Sequence, residues 1–182
     1  PVTLQYNKTS EQVGELLSAL DAIGMPVVFT FPNSDTGNRA IVDAIEGFVA
    51  KRDSVQMVVN MGPLGYFSLM AQASAMVGNS SSGIIEAASF RLPVVNIGDR
   101  QTGRIRPSNV IDVDQGRESI AEAVQLATSA EFRDSIADLV NPFGDGHAAE
   151  RIVEKIKTVC LDDRLLTKRF YDAASSCTDG DS

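Results

Sequence analysis

Apolar positions along this chain follow two spacings in turn. From Glu11 to Ile23 they fall at Val13, Leu16, Leu17, Leu20 and Ile23, the three-and-four spacing of one helix face, and Gly24 follows as a stop. Val27 to Phe31 is instead a continuous β-prone run, which predicts a strand buried on both faces. The alternation then repeats. A helix is predicted from about Asn38 to Ala50 (Ile41, Ile45, Phe48), a strand over Val55–Val59 and a helix over Leu64–Ala73. Strands near 75–78 and 93–97 flank IIEAASF, in which Ile84, Ala87, Ala88 and Arg91 share a helical face. A strand over Asn109–Val113 and helices over Ser119–Ala127 and His147–Leu161 complete the order. Asn141-Pro142-Phe143-Gly144-Asp145-Gly146 is a turn cluster.

Strand and helix alternating with short connections predict an α/β fold, a doubly wound, Rossmann-like parallel sheet. Ligands of such sheets sit beyond the carboxyl ends of the strands. Four strand-end loops carry polar or flexible chemistry there: Asn33 to Gly37, Asn60 to Pro63, Asn79 to Gly83 and Gly98 to Arg106. A single crevice lined by all four is the expectation.

With 182 residues the chain suits one domain, expected over residues 1–172, with 173–182 a disordered polar tail. A net charge of −8 argues against nucleic acid as the main partner. No apolar run approaches the ~18 residues of a membrane span and no signal peptide is visible, so a cytoplasmic protein without a membrane partner is expected. Cys160 and Cys177 lack metal spacing and read as free thiols; neither a metal nor a cofactor is expected. The sequons at Asn7 and Asn79 are discounted without a secretion signal. Pro1-Val2-Thr3-Leu4-Gln5 lacks an initiator Met and reads as the tail of a strand, so the chain is expected to be part of something longer.

The densest chemistry lies in AMVGNSSSGIIEAASFRLPVVNIGDRQTGRIR, Ala75 to Arg106. A strand turning through small polar residues into a helix points backbone N–H groups and the positive end of the helix dipole at whatever lies in front, commonly phosphate. Gly78 and Gly83 are expected to allow positive φ and close approach of a ligand. Three consecutive serines, Ser80 to Ser82, exceed what capping needs, and the residue three after Ser82 is Ile85 rather than a capping-box Glu. Glu86, one turn deeper, suits the two hydroxyls of a ribose, or is a solvated helix-face carboxylate. Arg91, Arg100, Arg104 and Arg106 stand against the single acid Asp99, which suits a diphosphate or is a basic surface loop. No Ser-His-Asp or metal constellation is present, and the only histidine, His147, reads as structural.

VGNSSSGIIEAASFRLPVVNIGDRQTGRIR, together with FPNSDTGNRAI, NMGPLGYFSLMAQASAMVGNSS, NPFGDG and KRFYD, closely resembles the hydrolysing UDP-N-acetylglucosamine 2-epimerases of bacterial sialic-acid synthesis. The resemblance covers nearly the whole chain. It implies the C-terminal, nucleotide-holding half of a glycosyltransferase-B fold, with UDP-N-acetylglucosamine or UDP as the bound partner and homo-oligomerisation of a full-length protein as an option. By resemblance, Ser80 and Ser81 bind the diphosphate, Glu86 holds the ribose hydroxyls and Arg100 faces the UDP. Asn33 and the backbone at Met61 meet the uridine, and Tyr66, which by spacing alone is core, lies near the uracil. The family's histidine would precede Pro1, so no catalytic acid–base residue is expected in this chain. The family reaction eliminates UDP across C1–C2 and hydrates the glucal to N-acetylmannosamine. The donor domain of another glycosyltransferase-B enzyme and a non-catalytic phosphosugar-binding module are the alternatives.

Overall fold

The computed structural model describes residues 8–31 and 38–167. They belong to two compact units, Pro1–Phe143 and Gly144–Ser182, which divide within the Asn141–Gly146 turn cluster.

The first unit alternates strand and helix: α1 (Thr9–Ile23), β1 (Val27–Thr30), α2 (Asn38–Val49), β2 (Val55–Val58), α3 (Gly62–Gln72) and β3 (Met76–Gly78). Then come α4 (Ser81–Ile85), a 3-10 turn (Ala87–Phe90), β4 (Val94–Ile97), β5 (Val110–Val113), α5 (Arg117–Ala127) and α6 (Ala130–Ser135). Every strand pairing is parallel, as expected, but the ladder is divided. β1 pairs β2 from Val27↔Val55 to Thr30↔Val58, while β3, β4 and β5 form a second sheet in that order. Hydrophobic periodicity specifies strands, not which of them pair, so the division was invisible in the sequence.

The second sheet is covered on both faces. Alternation along β4 sends Val95 toward Ala19 of α1 and Ile120, Ala123, Val124 and Ala127 of α5, and sends Val94 toward Met70, Ala87 and Leu92. The α5 residues recur at intervals of three and four and are almost wholly buried, which stabilises the unit by about 1.5–3 kcal/mol for each larger aliphatic side chain. α1 serves both sheets. Its Leu16, Ala19 and Ile23 join the α5 core, and its Val13 and Leu17 join Ile41, Ile45, Phe29 and Met57 around β1 and β2. Gly24, at φ 69°, ends α1 and donates to the Leu20 carbonyl at 3.2 Å. Glu15 of α1 accepts from the Arg117 N–H at 2.8 Å and so supplies α5 with the cap that Gly116 cannot. Buried Asn109 donates to the Leu92 carbonyl at 2.6 Å, holding the approach to β5 against that to β4.

α6 was not anticipated. Ser129 caps it by accepting from Phe132 N–H at 3.1 Å. The predicted face through Ile84, Ala87, Ala88 and Arg91 holds for the first three, which are buried, and fails at the fourth. Arg91 is exposed and ends the 3-10 turn in the left-handed conformation, φ 50°.

In the second unit, α7 (Ala148–Thr158) and α8 (Asp163–Leu166) follow two glycines of positive φ, Gly144 and Gly146. Asp145 accepts from the His147 N–H at 3.1 Å and pairs with Arg151 at 2.6 Å. The Arg151 guanidinium first, and the His147 N–H second, hold the Asp145 carboxyl at about 2. His147 precedes α7 and is exposed, its Nδ1 3.9 Å from the Glu150 carboxylate. Cys160 is an exposed free thiol, and Cys177 lies outside the described residues. No described helix is long and apolar enough to cross a membrane.

Candidate functional site

The carboxyl ends of β1, β2 and β3 open into one cleft of about 510 Å³. β1 contributes Thr30 and Phe31; the end of β2 and its loop contribute Val58 to Pro63; α3 contributes Tyr66 and Phe67; and the β3–α4 turn contributes Ser80, Ser81, Ser82 and Glu86. Met61, Tyr66, Ser80, Ser81 and Glu86, separated by up to 25 positions in sequence, are thus brought together. Asn33 lies outside the described residues.

The loop after β2 is set by Asn60, whose side-chain oxygen accepts from Gly62 N–H at 2.8 Å, with Gly62 at φ 63°. α3 then starts at the cleft with Pro63 in its first turn, where no donor is lost. Phe67 stacks on Phe90 at 5.7 Å and meets Tyr66 at 6.0 Å, giving this bank an aromatic floor.

The serines divide their work. Ser80 is the N-cap of α4 and accepts from Ser82 N–H at 3.3 Å. Ser82 accepts from the Tyr66 hydroxyl at 2.9 Å. Ser81, exposed at the first helical position, lines the cleft with its hydroxyl available. In both Ser80 and Ser82 an oxygen lone pair accepts from a protein donor, which leaves the hydroxyl proton free to donate. This end of the cleft therefore presents donors. α4 has only five residues, so the expected dipole is slight and the attraction for an anion comes from individual N–H and O–H groups. Gly78 has the positive φ expected of it, 144°, but Gly83 does not. A Cβ on Gly83 would stand 2.9 Å from Val94 Cγ1, so its lack of side chain seats α4 on β4 rather than admitting a ligand.

Glu86 follows α4 at the junction with the 3-10 turn. Among the described residues it is the single charged side chain in the lining, and its Oε2 is buried without a hydrogen-bond partner. An acceptor left unanswered in a cleft that also presents donors is suited to a ligand with an anionic part and a hydroxyl-bearing part.

The arginine cluster does not assemble as expected. Arg106 is committed to the scaffold: its Nε donates to Asp112 at 3.0 Å and its NH1 to the carbonyls of Gln101 at 2.7 Å and Arg104 at 3.2 Å. Arg91 ends the 3-10 turn, and Arg100 is exposed on the 98–106 loop, outside the set that lines the cleft. The expected single crevice is accordingly two. Gly98, Asp99, Thr102 and Arg106 line a separate cleft with Lys8 and Asp112 to Gln115. The loops still touch, because buried Gln101 donates to the Asn79 carbonyl at 2.8 Å, just before the serines. Sequence reasoning missed Gln101 and the Tyr66–Ser82 pair; the adjacency of Gln101 to Arg100 was the available signal for the first, and nothing local signalled the second.

A model of the family described as UDP-N-acetylglucosamine 2-epimerase matches residues 1–157. The chain is 35% identical over 168 residues to a Legionella pneumophila protein named UDP-N,N'-diacetylbacillosamine 2-epimerase (hydrolyzing), covering 92% of this chain and 43% of that one. It is 35% identical over 175 residues to a Campylobacter jejuni GDP/UDP-N,N'-diacetylbacillosamine 2-epimerase (hydrolyzing), covering 94% and 45%. It shares its fold with a Neisseria meningitidis UDP-GlcNAc 2-epimerase bound to UDP-GlcNAc, at TM-score 0.61 and 21% identity over 81% of this chain and 40% of that one. The chain therefore spans less than half the length of these relatives, and its parallel α/β architecture is that of half a glycosyltransferase-B fold.

Proposed function

The chain belongs to the UDP-N-acetylglucosamine 2-epimerase family, and we propose that its cleft is the UDP-holding half of a hydrolysing 2-epimerase. The observation that carries this is the buried, unpartnered Glu86 oxygen in the same cleft as the Ser80–Ser82 donors. Like charges repel, so a carboxylate and a diphosphate must lie apart. Glu86 then meets neutral ribose hydroxyls, while Ser80, Ser81 and nearby N–H groups meet the phosphates. Tyr66 and the Met61 backbone face the uracil, and Asn33, outside the described residues, is assigned to the uridine by resemblance alone. Arg100 reaches the diphosphate from the neighbouring loop that Gln101 ties to Asn79.

In the proposed reaction the C1–O bond to UDP breaks as the proton on C2 is removed, leaving a C1=C2 double bond. Water then adds its hydroxyl to C1, and C2 is reprotonated on the opposite face, giving N-acetylmannosamine from UDP-N-acetylglucosamine. This chain's share is to stabilise the charge growing on the departing diphosphate, for which loss of one donor costs about 10²–10³ in rate. The acid–base groups belong to the remainder of a protein of the relatives' length. The relatives' names include both N-acetylglucosamine and diacetylbacillosamine donors. Each of these names includes a UDP-sugar, one of them a GDP-sugar as well, and the nucleoside diphosphate is the part this cleft would read.

Calorimetry with UDP and with N-acetylglucosamine 1-phosphate tests the reading. UDP is expected to bind more tightly by at least about tenfold, and the chain alone is expected to release no UDP from UDP-N-acetylglucosamine. Tighter binding of the hexose phosphate would make the cleft a phosphosugar site instead.

A further inference from the structure

Gln101 does more than join two loops. The β3–β4 ladder, in which Met76 N–H donates to the Pro93 carbonyl at 2.8 Å, would run on to give Ser80 N–H to the Ile97 carbonyl. β3 ends first, at Gly78, whose φ of 144° carries the chain off the sheet. Ser80 N–H is left without a hydrogen-bond partner among the described residues. The carbonyl of the same peptide unit, Asn79 O, is taken by buried Gln101, whose Nε2 donates to it at 2.8 Å. A trans peptide is planar and its C=O and N–H point in opposite directions, so gripping the oxygen aims the hydrogen. Gln101 stands outside the cleft lining and Ser80 within it. The grip has a backing of its own, since the Gln101 carbonyl accepts from Arg106 NH1 at 2.7 Å. It adds little to stability. Gln101 Oε1 is buried without a partner among the described residues, and one unmet buried oxygen costs at least as much as one neutral hydrogen bond returns.

We propose that Gln101 is a positioning residue: by holding the Asn79 carbonyl it keeps the Ser80 N–H directed into the cleft as a donor to phosphate. The inference rests on the reading of Ser80 to Ser82 as the diphosphate contacts, and deepens it by naming what sets the donor's direction. With the carbonyl released, the same peptide can turn over and present its oxygen, which repels a phosphate where the N–H attracts it. The effect is confined to the anionic part of the ligand. Uridine without phosphate would meet Glu86, Met61 and Tyr66 and gain nothing from that N–H.

Gln101→Met is the informative variant. It keeps the length of the side chain and removes the donor together with the unmet oxygen. The 182-residue chain and the variant would be titrated with UDP and with uridine, followed by NMR. The unaltered chain should bind UDP at least about hundredfold more tightly than uridine, the worth of two hydrogen bonds to a charged group at about tenfold each. In Gln101→Met that ratio should fall by about tenfold while uridine affinity changes less than about twofold. A structural role alone would weaken both ligands together. Spectra of the unaltered chain decide the matter should the variant not fold. An anion on Ser80 N–H polarises the peptide and strengthens its carbonyl as an acceptor, so the Ser80 N–H and Gln101 Nε2 protons should both move downfield with UDP and neither with uridine. An unchanged ratio in the folded variant, equal weakening of both ligands, or a Gln101 resonance that ignores UDP overturns the inference and leaves the UDP reading standing. Absence of any preference for UDP over uridine in the unaltered chain removes the phosphate from the serine turn, and this inference with it.

Discussion

Two clefts of similar size open beyond the strand ends of the first unit, and they treat charge in opposite ways. The cleft at β4 and β5, about 630 Å³, is the more highly charged, with Lys8, Asp99, Arg106, Asp112 and Asp114 in its lining. At its centre these groups answer one another: Asp112 takes Arg106 on one oxygen at 3.0 Å and the neighbouring-strand Asn96 on the other at 2.6 Å. The cleft at β1–β3, about 510 Å³, has a single charged side chain among the described residues, and one oxygen of it is unanswered. The Arg106–Asp112 pair is therefore read as scaffold, and the unpaired acceptor is the group to which the proposed nucleotide reading is attached. Burial alone does not make that distinction. Gln101 and Asn109 also carry buried oxygens without partners, but neither lines either of these two clefts.

The comparison would break most decisively on a paired substitution read by UDP calorimetry. Glu86→Gln should lower affinity by at least about tenfold, while Asp114→Asn, in the other cleft, should change it less than about twofold. The reverse order would transfer the nucleotide to the charged cleft. A smaller effect is expected from Ser81→Ala, about fivefold in affinity with the thermal midpoint unchanged, because its hydroxyl faces the cleft rather than the cap. A fall in the midpoint without a change in affinity would make that serine a helix-start residue only. Smallest in binding, and opposite in kind, is Arg106→Ala. It should cost about 1 kcal/mol of stability in thermal or urea unfolding and change UDP affinity less than about threefold, since its partners are Asp112 and loop carbonyls.

The elements that were legible in the sequence are those whose reasons are local. α5 could be read from Ile120, Ala123, Val124 and Ala127, and Gly24 as a stop, because each signal lies within one or two turns. The 81–91 stretch was half legible. Its buried face was correct as far as Ala88, but the 3-10 turn that follows Glu86 leaves the Ile85 carbonyl to Asn141, which no window around Glu86 contains. α6 escaped because it is six residues long with no buried position of its own. In the site, Ser80, Ser81 and Glu86 announced themselves by residue type and spacing, and the structure brings them to one cleft. The arginines misled for the complementary reason. Neighbours in sequence, they diverge in space into a helix end, an exposed loop and a partly exposed ion pair.

α1 has a mechanical consequence. The donors and the Glu86 acceptor stand at the end of one sheet, Phe31 and the Asn60 turn stand at the end of the other, and both sheets rest on different residues of that single helix. The helix is therefore an axle on which the two jaws are mounted. Trimming Val13 or Leu17, which do not line the cleft, would loosen one jaw's bearing and change the gap between them.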